Sequence, residues 1–227
     1  MTEHSVIVPM RNAAPFVRDC LVSALRQLSS SDEIFVIDNG STDGSARVVR
    51  ELADPRIRLL EEANPGPSAA RNRGLQVATG RYITFLDADD MWAPDRLVRL
   101  MSAIAATPGA NAAYGRVEML YQPGASDEHH RDIDGQHAQS WAIWSYMFER
   151  SLVQDVGLFV EELQMGEDID FILRARRAGM RCAVCDSPVT IYRRHGTNVS
   201  NDHAEVRRSF MRTLARNAAR VRRERSS

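Results

Sequence analysis

The sequence of 227 residues contains no lysine, so each of its 29 lysine-plus-arginine positions is an arginine. Without lysine the chain has no Walker-type phosphate loop, no Schiff base and no catalytic amine. Cysteine is scarce, and its three residues are Cys20, Cys182 and Cys185. This odd, sparse set argues against a disulfide scaffold and for a reducing compartment. Cys182 and Cys185 form a lone C-x-x-C, which lacks the second pair of ligands of a structural zinc site, so buried strand cysteines are the favoured interpretation.

Long apolar runs are also missing. No segment approaches the roughly 20 residues of a membrane span, and the N-terminus lacks the basic region and apolar core of a signal peptide. These absences predict a cytoplasmic protein. The formal net charge of -1 provides no overall field that would attract nucleic acid, so no nucleic-acid partner is expected. What is present, 44% hydrophobic and 26% charged residues, is the composition of an ordinary globular protein.

Short apolar strands alternate with amphipathic helices in the first half of the chain. Strands are predicted at 5–9, 33–38, 56–61 and 81–87, and helices at 15–28, 67–78 and 95–106. One further helix is predicted after the strand at 33–38, with Ser41 or Asp43 as its N-terminal cap. This alternation predicts an α/β fold with a mainly parallel central sheet and helices on both faces. Polar clusters follow Pro9, Ile37 and Leu86, and ligands of such sheets bind beyond the carboxyl ends of the strands. We therefore expect one cleft at that edge.

The second half of the chain is less regular. Strands are predicted at 112–121, 182–186 and 189–194, helices at 168–178 and 204–223, and a mobile polar loop at 122–139. The last helix is basic, and its apolar stripe is expected to pack on the rest of the protein: Val206, Phe210, Leu214, Ala218 and Val221. Its arginines would face either anionic lipid, which makes this helix a candidate peripheral membrane contact, or only solvent. No linker interrupts the chain, so a single domain is predicted.

The most informative segment is a hydrophobic strand that ends in Asp87, Ala88, Asp89 and Asp90. Carboxylates this crowded repel one another unless a cation or hydrogen-bond donors compensate them. Hard carboxylate oxygens suit Mg²⁺ or Mn²⁺, ions that usually keep coordination positions open for substrate phosphates. A solvated turn in which Asp90 caps the next helix is the other interpretation. The segment alone does not decide between the two.

Six motifs occur in a fixed order between Ser5 and Ser200: SVIVPMRN, EIFVIDNGSTDGS, NPGPSAARNRGL, GRYITFLDADD, GEDIDFILRARRAG and YRRHGTNVS. Together they resemble those of the nucleotide-diphospho-sugar transferases of glycosyltransferase family 2, which have the GT-A fold. The resemblance implies inverting transfer of a sugar from a UDP- or dTDP-sugar to an acceptor hydroxyl of a glycan, lipid-linked or other molecule, with Mn²⁺ or Mg²⁺ as cofactor. It also implies a GT-A domain at 1–203, with a donor-binding half at about 1–110 and an acceptor half at about 111–203, followed by the basic helix at 204–227.

The resemblance implies residue roles as well. Asp89 would bind the metal, and His195 would complete the metal shell or touch the diphosphate, although a lone histidine is also often structural. Arg71 would lie near the donor or simply pair with a carboxylate. The positions matching the family's nucleotide-sugar-binding residues are Pro9, Arg11, Asp38, Asn39, Arg71, Asp87 and Ala88.

Asp168, in the Glu167-Asp168 pair, matches the family's general base. An acceptor hydroxyl is a poor nucleophile, so a positioned carboxylate must accept its proton as the new bond forms. The competing interpretation is that both residues are ordinary acidic charges of a helix N-terminus. Glu167 is expected only to orient or cap.

Two departures from the family pattern affect the function. The family often has Asp-Asp-Gly-Ser where this chain has Asp38-Asn39-Gly40-Ser41, and because an amide accepts or donates, Asn39 leaves the nucleobase open. No Q-x-x-R-W motif follows Asp168, which favours transfer of single sugars over processive synthesis. Trp141 and Trp144 are weaker candidates for stacking on an acceptor sugar, and the acidic and histidine cluster at 127–132 is expected to be a solvated loop.

Three other classes of protein compete with this interpretation. A sugar nucleotidyltransferase would need a glycine-rich loop after the first strand and lysine on its phosphates, and an oxidoreductase would need a G-x-G-x-x-G motif. The sequence supplies none of these. The non-enzyme alternative is a sugar-nucleotide-binding pseudoenzyme or assembly partner. The presence of both Asp89 and Asp168 argues against it.

Overall fold

The computed structural model describes residues 2–122, 142–163, 165–198 and 201–224. The described strands are β1 (His4–Met10), β2 (Glu33–Asp38), β3 (Ile57–Glu61), β4 (Tyr82–Phe85), β5 (Met91–Trp92), β6 (Ala112–Tyr121), β7 (Tyr146–Glu149) and β8 (Cys182–Arg194). The described helices are α1 (Val17–Leu25), α2 (Ser45–Glu51), α3 (Pro67–Val77), α4 (Arg96–Ala106), α5 (Arg150–Val156), α6 (Glu167–Arg177) and α7 (His203–Glu224).

All these strands belong to one sheet, in the order β3-β2-β1-β4-β7-β6-β8-β5. The pairs β2–β3, β1–β2 and β1–β4 are parallel, as the alternation of strands and helices predicts. Beyond β4 the sheet is mixed, because β7 runs antiparallel to both β4 and β6, and β5 runs antiparallel to β8. The predicted α/β class is confirmed; the four parallel strands β1 to β4 come from the first half of the chain, and β6 and β8 of the second half form another parallel pair.

Side chains of the central strand β1 alternate between the two faces of the sheet. Val6 and Val8 pack in a cluster that includes residues of α1 and α4. Ile7 points to the opposite face, into a second cluster that includes Phe171 and Ile172 of α6. Because successive strand side chains point to opposite faces, a strand that is apolar at each of these positions must be covered on both sides. The sheet therefore has a helical layer on each face.

The predicted strands and helices of the first half are confirmed with ends shifted by a few residues. The residue at the N-cap position of α2 is Gly44, which makes no side-chain cap bond. Asp43, one of the two predicted caps, nevertheless accepts the backbone N–H of Ser45, the first residue of α2, at 2.9 Å, whereas Ser41 accepts the backbone N–H of Asn12 at 3.1 Å. The short strand β5 of the first half is absent from the prediction. In the second half, the strands predicted at 182–186 and 189–194 form a single strand, β8, while β7 and α5 are absent from the prediction.

The last helix packs on the protein as predicted, but its most buried stripe is not the predicted apolar one. The buried stripe of α7 consists of Ser209, Thr213 and Asn217, which follow one another at four-residue spacing on one helix face. Asn217 Nδ2 donates to Asp170 Oδ1 of α6 at 2.9 Å. Because the facing surface of α6 is polar here, the polar stripe of α7 packs against it. Of the predicted apolar stripe, Phe210, Leu214 and Val221 are half-buried, whereas Val206 and Ala218 are exposed.

Some predictions concern residues outside the described ranges. The loop predicted at 122–139, apart from Gln122, and the cluster at 127–132 lie outside the described residues, as does Trp141. The division into a donor half, an acceptor half and a helix beginning near residue 204 stays a prediction. None of the helices in the described ranges is long and apolar enough to cross a membrane.

Candidate active site

A cleft of about 900 Å³ opens at the carboxyl edge of the parallel strands. The segments after β1, β4 and β8 contribute to it, together with the first turns of α3, α6 and α7. This is the edge at which the sequence predicts a ligand site. The cleft is lined by most of the predicted site residues: Pro9, Arg11, Asn39, Arg71, Asp87, Ala88, Asp89, Asp168 and His195.

The carboxylates after β4 lie in a tight turn. The backbone N–H of Asp90 donates to the Asp87 carbonyl at 3.0 Å. Asp90 is buried below the cleft, where its Oδ1 accepts the backbone N–H of Arg193 at 2.9 Å, while Asp87 and Asp89 line the cleft. Burial raises the pKa of Asp89, and the charge of Asp87 adds to the increase. The turn therefore presents carboxylates that a cation would stabilise.

His195 lies across the cleft edge from this turn. Its Nε2 is 3.1 Å from Asp89 Oδ2 and also 3.1 Å from Asn198 Nδ2, while its Nδ1 is 2.9 Å from Thr197 Oγ1. The imidazole stacks on Phe16, with ring centroids 4.4 Å apart. These contacts fix the ring orientation and bring the two predicted metal ligands together.

Arg71 connects the two acidic groups of the cleft. Its guanidinium donates to Glu167 Oε1 at 2.6 Å and to Asp87 Oδ1 at 2.9 Å. Burial alone would lower the pKa of Arg71, but the charges of Asp87 and Glu167 raise it, so the side chain stays a cation. The carboxylate pairing offered for Arg71 is thus confirmed, and its position in the lining of the cleft leaves contact with the donor as a prediction. The hydrogen bond from Arg71 also gives Glu167 a role, which is to orient the guanidinium.

Asp168, next to Glu167 in the first turn of α6, is half-buried and faces the cleft. Loss of solvent raises the pKa of its carboxyl to about 7, and the charge of Glu167 contributes further, while Arg71 and the backbone N–H of Ile169 oppose the shift. A carboxyl with a pKa near neutrality is suited to accept a proton in one step and release it in the next. Asp168 and Asp89 open into the same cleft, as a common active site requires.

Asn39 has a structural role that its sequence position does not reveal. Its Nδ2 donates to the carbonyls of Glu62 and Asn64, at 2.9 and 2.7 Å, and its Oδ1 accepts the backbone N–H of Gly66 at 2.7 Å. Gly66 has φ +115°, a conformation that favours glycine. The amide predicted to contact a nucleobase therefore holds the loop 62–66 against the cleft, with both of its N–H groups occupied.

Asp38 is the one predicted site residue that is not among the residues lining the cleft. Its Oδ1 accepts the backbone N–H of Ser41 at 2.9 Å, so in this structure it stabilises the turn after β2. The other predicted site residues line the cleft.

The family model described as "Glycosyl transferase family 2" matches residues 5–162, which is more than half of the chain. The chain belongs to glycosyl transferase family 2. The matched region contains the Asp87–Asp90 turn and Arg71, and it ends before Asp168 and His195.

Similar proteins include a glycosyltransferase and a mannosyltransferase. The uncharacterized glycosyltransferase EpsJ of Bacillus subtilis is 31% identical over 222 residues, which cover 86% of this chain and 62% of EpsJ. The mannosyltransferase PcManGT from Pyrobaculum calidifontis, solved with GDP-Man and Mn²⁺, superposes with a TM-score of 0.69 at 25% identity and covers 97% of this chain and 64% of its own. TarS of S. aureus, residues 1–349 with UDP-GlcNAc, gives a TM-score of 0.72 at 20% identity over 88% and 61%. The fold is thus GT-A, and this chain spans less than two thirds of each of these proteins.

The residues of this family 2 chain fit a divalent metal ion. Asp89 and His195 supply one carboxylate oxygen and one imidazole nitrogen within 3.1 Å of each other. Among the residues described, no group of three or more ligating side chains gathers. A site with two protein ligands matches Mg²⁺ or Mn²⁺, because these ions are commonly held by few side chains together with substrate phosphates. The bond from Thr197 to the other imidazole nitrogen would orient His195 as a ligand.

The residues that line the cleft include two sets of different chemistry. We call the first set, most of which lies at or after strand ends, the polar wall: Pro9, Arg11, Asn39, Arg71, Asp87, Asp89 and His195. We call the second set the apolar wall, although it contains one arginine: Trp144, Met165, Ile169, Tyr192, Val206, Arg207 and Phe210. Asp168 also lines the cleft and precedes Ile169 of the apolar wall in sequence, and we refer to it as the junction of the walls.

Sequence reasoning missed most of the apolar wall and the support of His195. Phe16 lies in the helix predicted at 15–28 and was not identified as a site residue, yet it stacks on His195. Thr197 and Asn198 follow His195 closely, and short polar residues beside a candidate ligand are a signal that could have identified them. The cleft residues of α7 carry no comparable signal, because only the tertiary fold brings that helix to the site.

Proposed function

We propose that this protein is an inverting, divalent-metal-dependent glycosyltransferase that moves a single sugar from a nucleotide diphosphate donor to an acceptor hydroxyl, in the assembly of a bacterial glycan or glycoconjugate. One observation carries the proposal: Asp89 and Asp168 face the same cleft. The first stands beside His195 as a candidate metal ligand, and the second has the environment of a general base.

Asp168 acts as the base in this proposal. Its carboxylate accepts the proton of the acceptor hydroxyl while the acceptor oxygen attacks the anomeric carbon and the bond to the donor diphosphate breaks. Attack from the face opposite the leaving group inverts the anomeric configuration. A glycosidase would need a second carboxylic acid to protonate its leaving oxygen, whereas a diphosphate leaving group needs none.

Asp89 and His195 hold the metal ion in this proposal. When bound, the ion supplies positive charge that neutralises the departing diphosphate. Arg71 holds Asp87 and Glu167 in place and keeps its own cation at the cleft. The Mn²⁺ and GDP-Man in the PcManGT structure support this class of metal and donor. We propose a UDP- or dTDP-sugar as donor, although the side chain of Asn39 does not select among bases because its N–H groups are occupied.

The acceptor in this proposal is a hydroxyl of a glycan, of a lipid-linked saccharide or of another molecule. The arginines of α7 are exposed, which supports peripheral contact with anionic lipid through charge attraction. Such contact and a cytoplasmic location are part of the proposal, and no nucleic-acid partner is included.

The proposal is tested by nucleotide binding and donor turnover. Thermal unfolding is measured with UDP, dTDP, GDP, ADP and CDP, each with Mn²⁺ or EDTA, because a ligand of the folded state raises its melting temperature. One nucleotide diphosphate should stabilise the protein only when Mn²⁺ is present. When sugars linked to that nucleotide diphosphate are then incubated with the protein, free nucleotide diphosphate should be released slowly. Asp89→Ala should weaken Mn²⁺-dependent nucleotide binding by at least about tenfold.

Asp186→Ala is the matched control, because Asp186 is exposed on β8 and does not line the cleft. Full retention of Mn²⁺-dependent binding in Asp89→Ala would reject the metal role. Metal-dependent binding without any release of nucleotide diphosphate would favour the pseudoenzyme instead.

A further inference from the structure

The apolar wall has a composition that donor binding does not explain. A nucleotide diphosphate is polar and anionic, and the polar wall supplies the carboxylates, imidazole and guanidinium that would hold it with a metal ion. The apolar wall presents aromatic and aliphatic side chains and one cation, Arg207. Arg207 is exposed, and no ion pair joins it to the described residues. A free cation within an apolar surface is an unusual pairing that points to a ligand with both properties.

The apolar wall lies directly beside the proposed base. A side chain at Gly166, which precedes Glu167 and Asp168, would meet Thr213 Oγ1 at 2.6 Å and the Ser209 carbonyl at 3.6 Å. The first turns of α7 therefore pack on the start of α6. An acceptor whose hydroxyl reaches Asp168 must consequently lie against the residues of α7 that face the cleft.

A stacked aromatic pair forms the other part of this wall. The rings of Trp144 and Tyr192 lie 5.8 Å apart with an interplanar angle of 25°, and both are half-buried and line the cleft. Flat aromatic rings of this kind offer large apolar faces. Such faces fit the C–H face of a sugar ring.

We propose that the apolar wall is an acceptor subsite for an anionic amphiphile, namely a saccharide joined through a phosphate to an apolar group. Arg207 binds the phosphate, Val206 and Phe210 contact the apolar group, and Trp144 and Tyr192 stack on the sugar. The assignment to an acceptor rests on the proposed function, because it takes Asp168 as the base that deprotonates the acceptor.

The proposal is tested with n-decyl phosphate, n-decyl β-glucoside and inorganic phosphate as probes, by calorimetry with saturating nucleotide diphosphate and Mn²⁺ to fill the polar wall. Decyl phosphate should bind about tenfold or more tightly than either of the other two, since charge-assisted hydrogen bonds to an arginine add to the apolar contact. Arg207→Gln should remove this advantage and leave binding of decyl glucoside unchanged.

The matched control is Arg208→Gln, because Arg208 is the next residue on α7, pairs with Glu205 and does not line the cleft. It should leave all three affinities unchanged. Phe210→Ser should weaken both alkyl probes, and Val206→Ser does the same at a 37% exposed position where folding is not at risk. Equal losses in Arg207→Gln and Arg208→Gln, or equal binding of the charged and neutral probes, would overturn the proposal.

Failure of this inference differs from failure of the proposed function. If no nucleotide diphosphate binds with Mn²⁺ and none is released from its sugars, the proposed function fails. If nucleotide binds and is released while decyl phosphate shows no preference for Arg207, only the acceptor assignment fails.

Discussion

The two walls of the cleft are built in different ways. The polar wall comes from strand ends of the first half of the chain and from the His195 segment, and its side chains are held by short hydrogen bonds and ion pairs. The apolar wall comes from segments distant in sequence, including α7, and its cleft residues make mainly apolar contacts. The difference shows that the polar wall of this family 2 chain is encoded in local motifs, whereas the apolar wall is encoded in tertiary packing. The predictions below therefore change Asp168 at the junction of the walls, Asn39 in the polar wall, and Thr213 in the helix contact that supports the apolar wall.

Asp168→Asn, at the junction of the walls, should have the largest effect. An amide cannot accept the acceptor proton, and general-base catalysis contributes about 10²- to 10⁴-fold, so release of nucleotide diphosphate from the donor should slow by about that factor. The affinity for nucleotide with Mn²⁺ should change less than about twofold, because the polar wall is intact. The two quantities are measured by steady-state kinetics and calorimetry. Loss of nucleotide binding in this variant would mean that Asp168 belongs to the polar wall and is not the base.

The pH dependence of the wild type sharpens the same assignment. The pKa of Asp168 is raised to about 7, and only the deprotonated carboxyl accepts a proton. The rate should therefore fall about tenfold for each pH unit below 7 and level off above it. Turnover is measured from pH 5.5 to 8.5 at Mn²⁺ and donor concentrations shown to saturate at each pH. A profile that is flat through pH 7 would contradict a base in this environment.

The comparison of the walls also explains what the sequence could predict. The turn after β4 and the motif around His195 were identified because neighbouring residues carry both the strand pattern and the functional groups. Asn39 was assigned to the nucleobase because its three hydrogen-bond partners lie more than 20 residues away and appear only in the fold. Strand β7 was missed because four residues give little periodic signal, and its pairing with β4 and β6 is long-range.

The polar stripe that is most buried in α7 was not predicted, for a physical reason. Amphipathicity assumes that the surface receiving a helix is apolar. The receiving surface of α6 carries Asp170, paired with Arg174 at 2.7 Å, so it favours the polar side chains of α7. A single-helix pattern contains no information about the polarity of its partner.

Asn39→Asp tests the polar wall alone, and its expected effect is intermediate. A carboxylate cannot donate to the carbonyls of Glu62 and Asn64, and its negative charge would face both of them. The variant should lose about 1–3 kcal/mol of stability and bind nucleotide more weakly, since the loop 62–66 borders the cleft. Urea unfolding and nucleotide titration measure the two effects. Asn64→Asp is the control, because it makes the same change at an exposed position of the same loop; similar losses in both variants would show that Asn39 does not anchor the loop.

Thr213→Val tests the support of the apolar wall and should have the smallest effect, with the opposite sign. Thr213 is fully buried between α7 and α6, and its hydroxyl has no hydrogen-bond partner among the described residues. Replacing an unpaired buried hydroxyl by a methyl group removes a desolvation cost, so stability should rise by up to about 1 kcal/mol, which is about 2–4 °C in Tm for a chain of this size. Thr213→Ser keeps the hydroxyl and deletes the methyl, and should lower Tm by a comparable amount. Nucleotide release should be unchanged in both, because the side chain does not line the cleft. If Val lowers Tm as Ser does, the hydroxyl is bonded in solution, and the α6–α7 contact depends on a polar network that reaches from Asp170 to the start of the apolar wall.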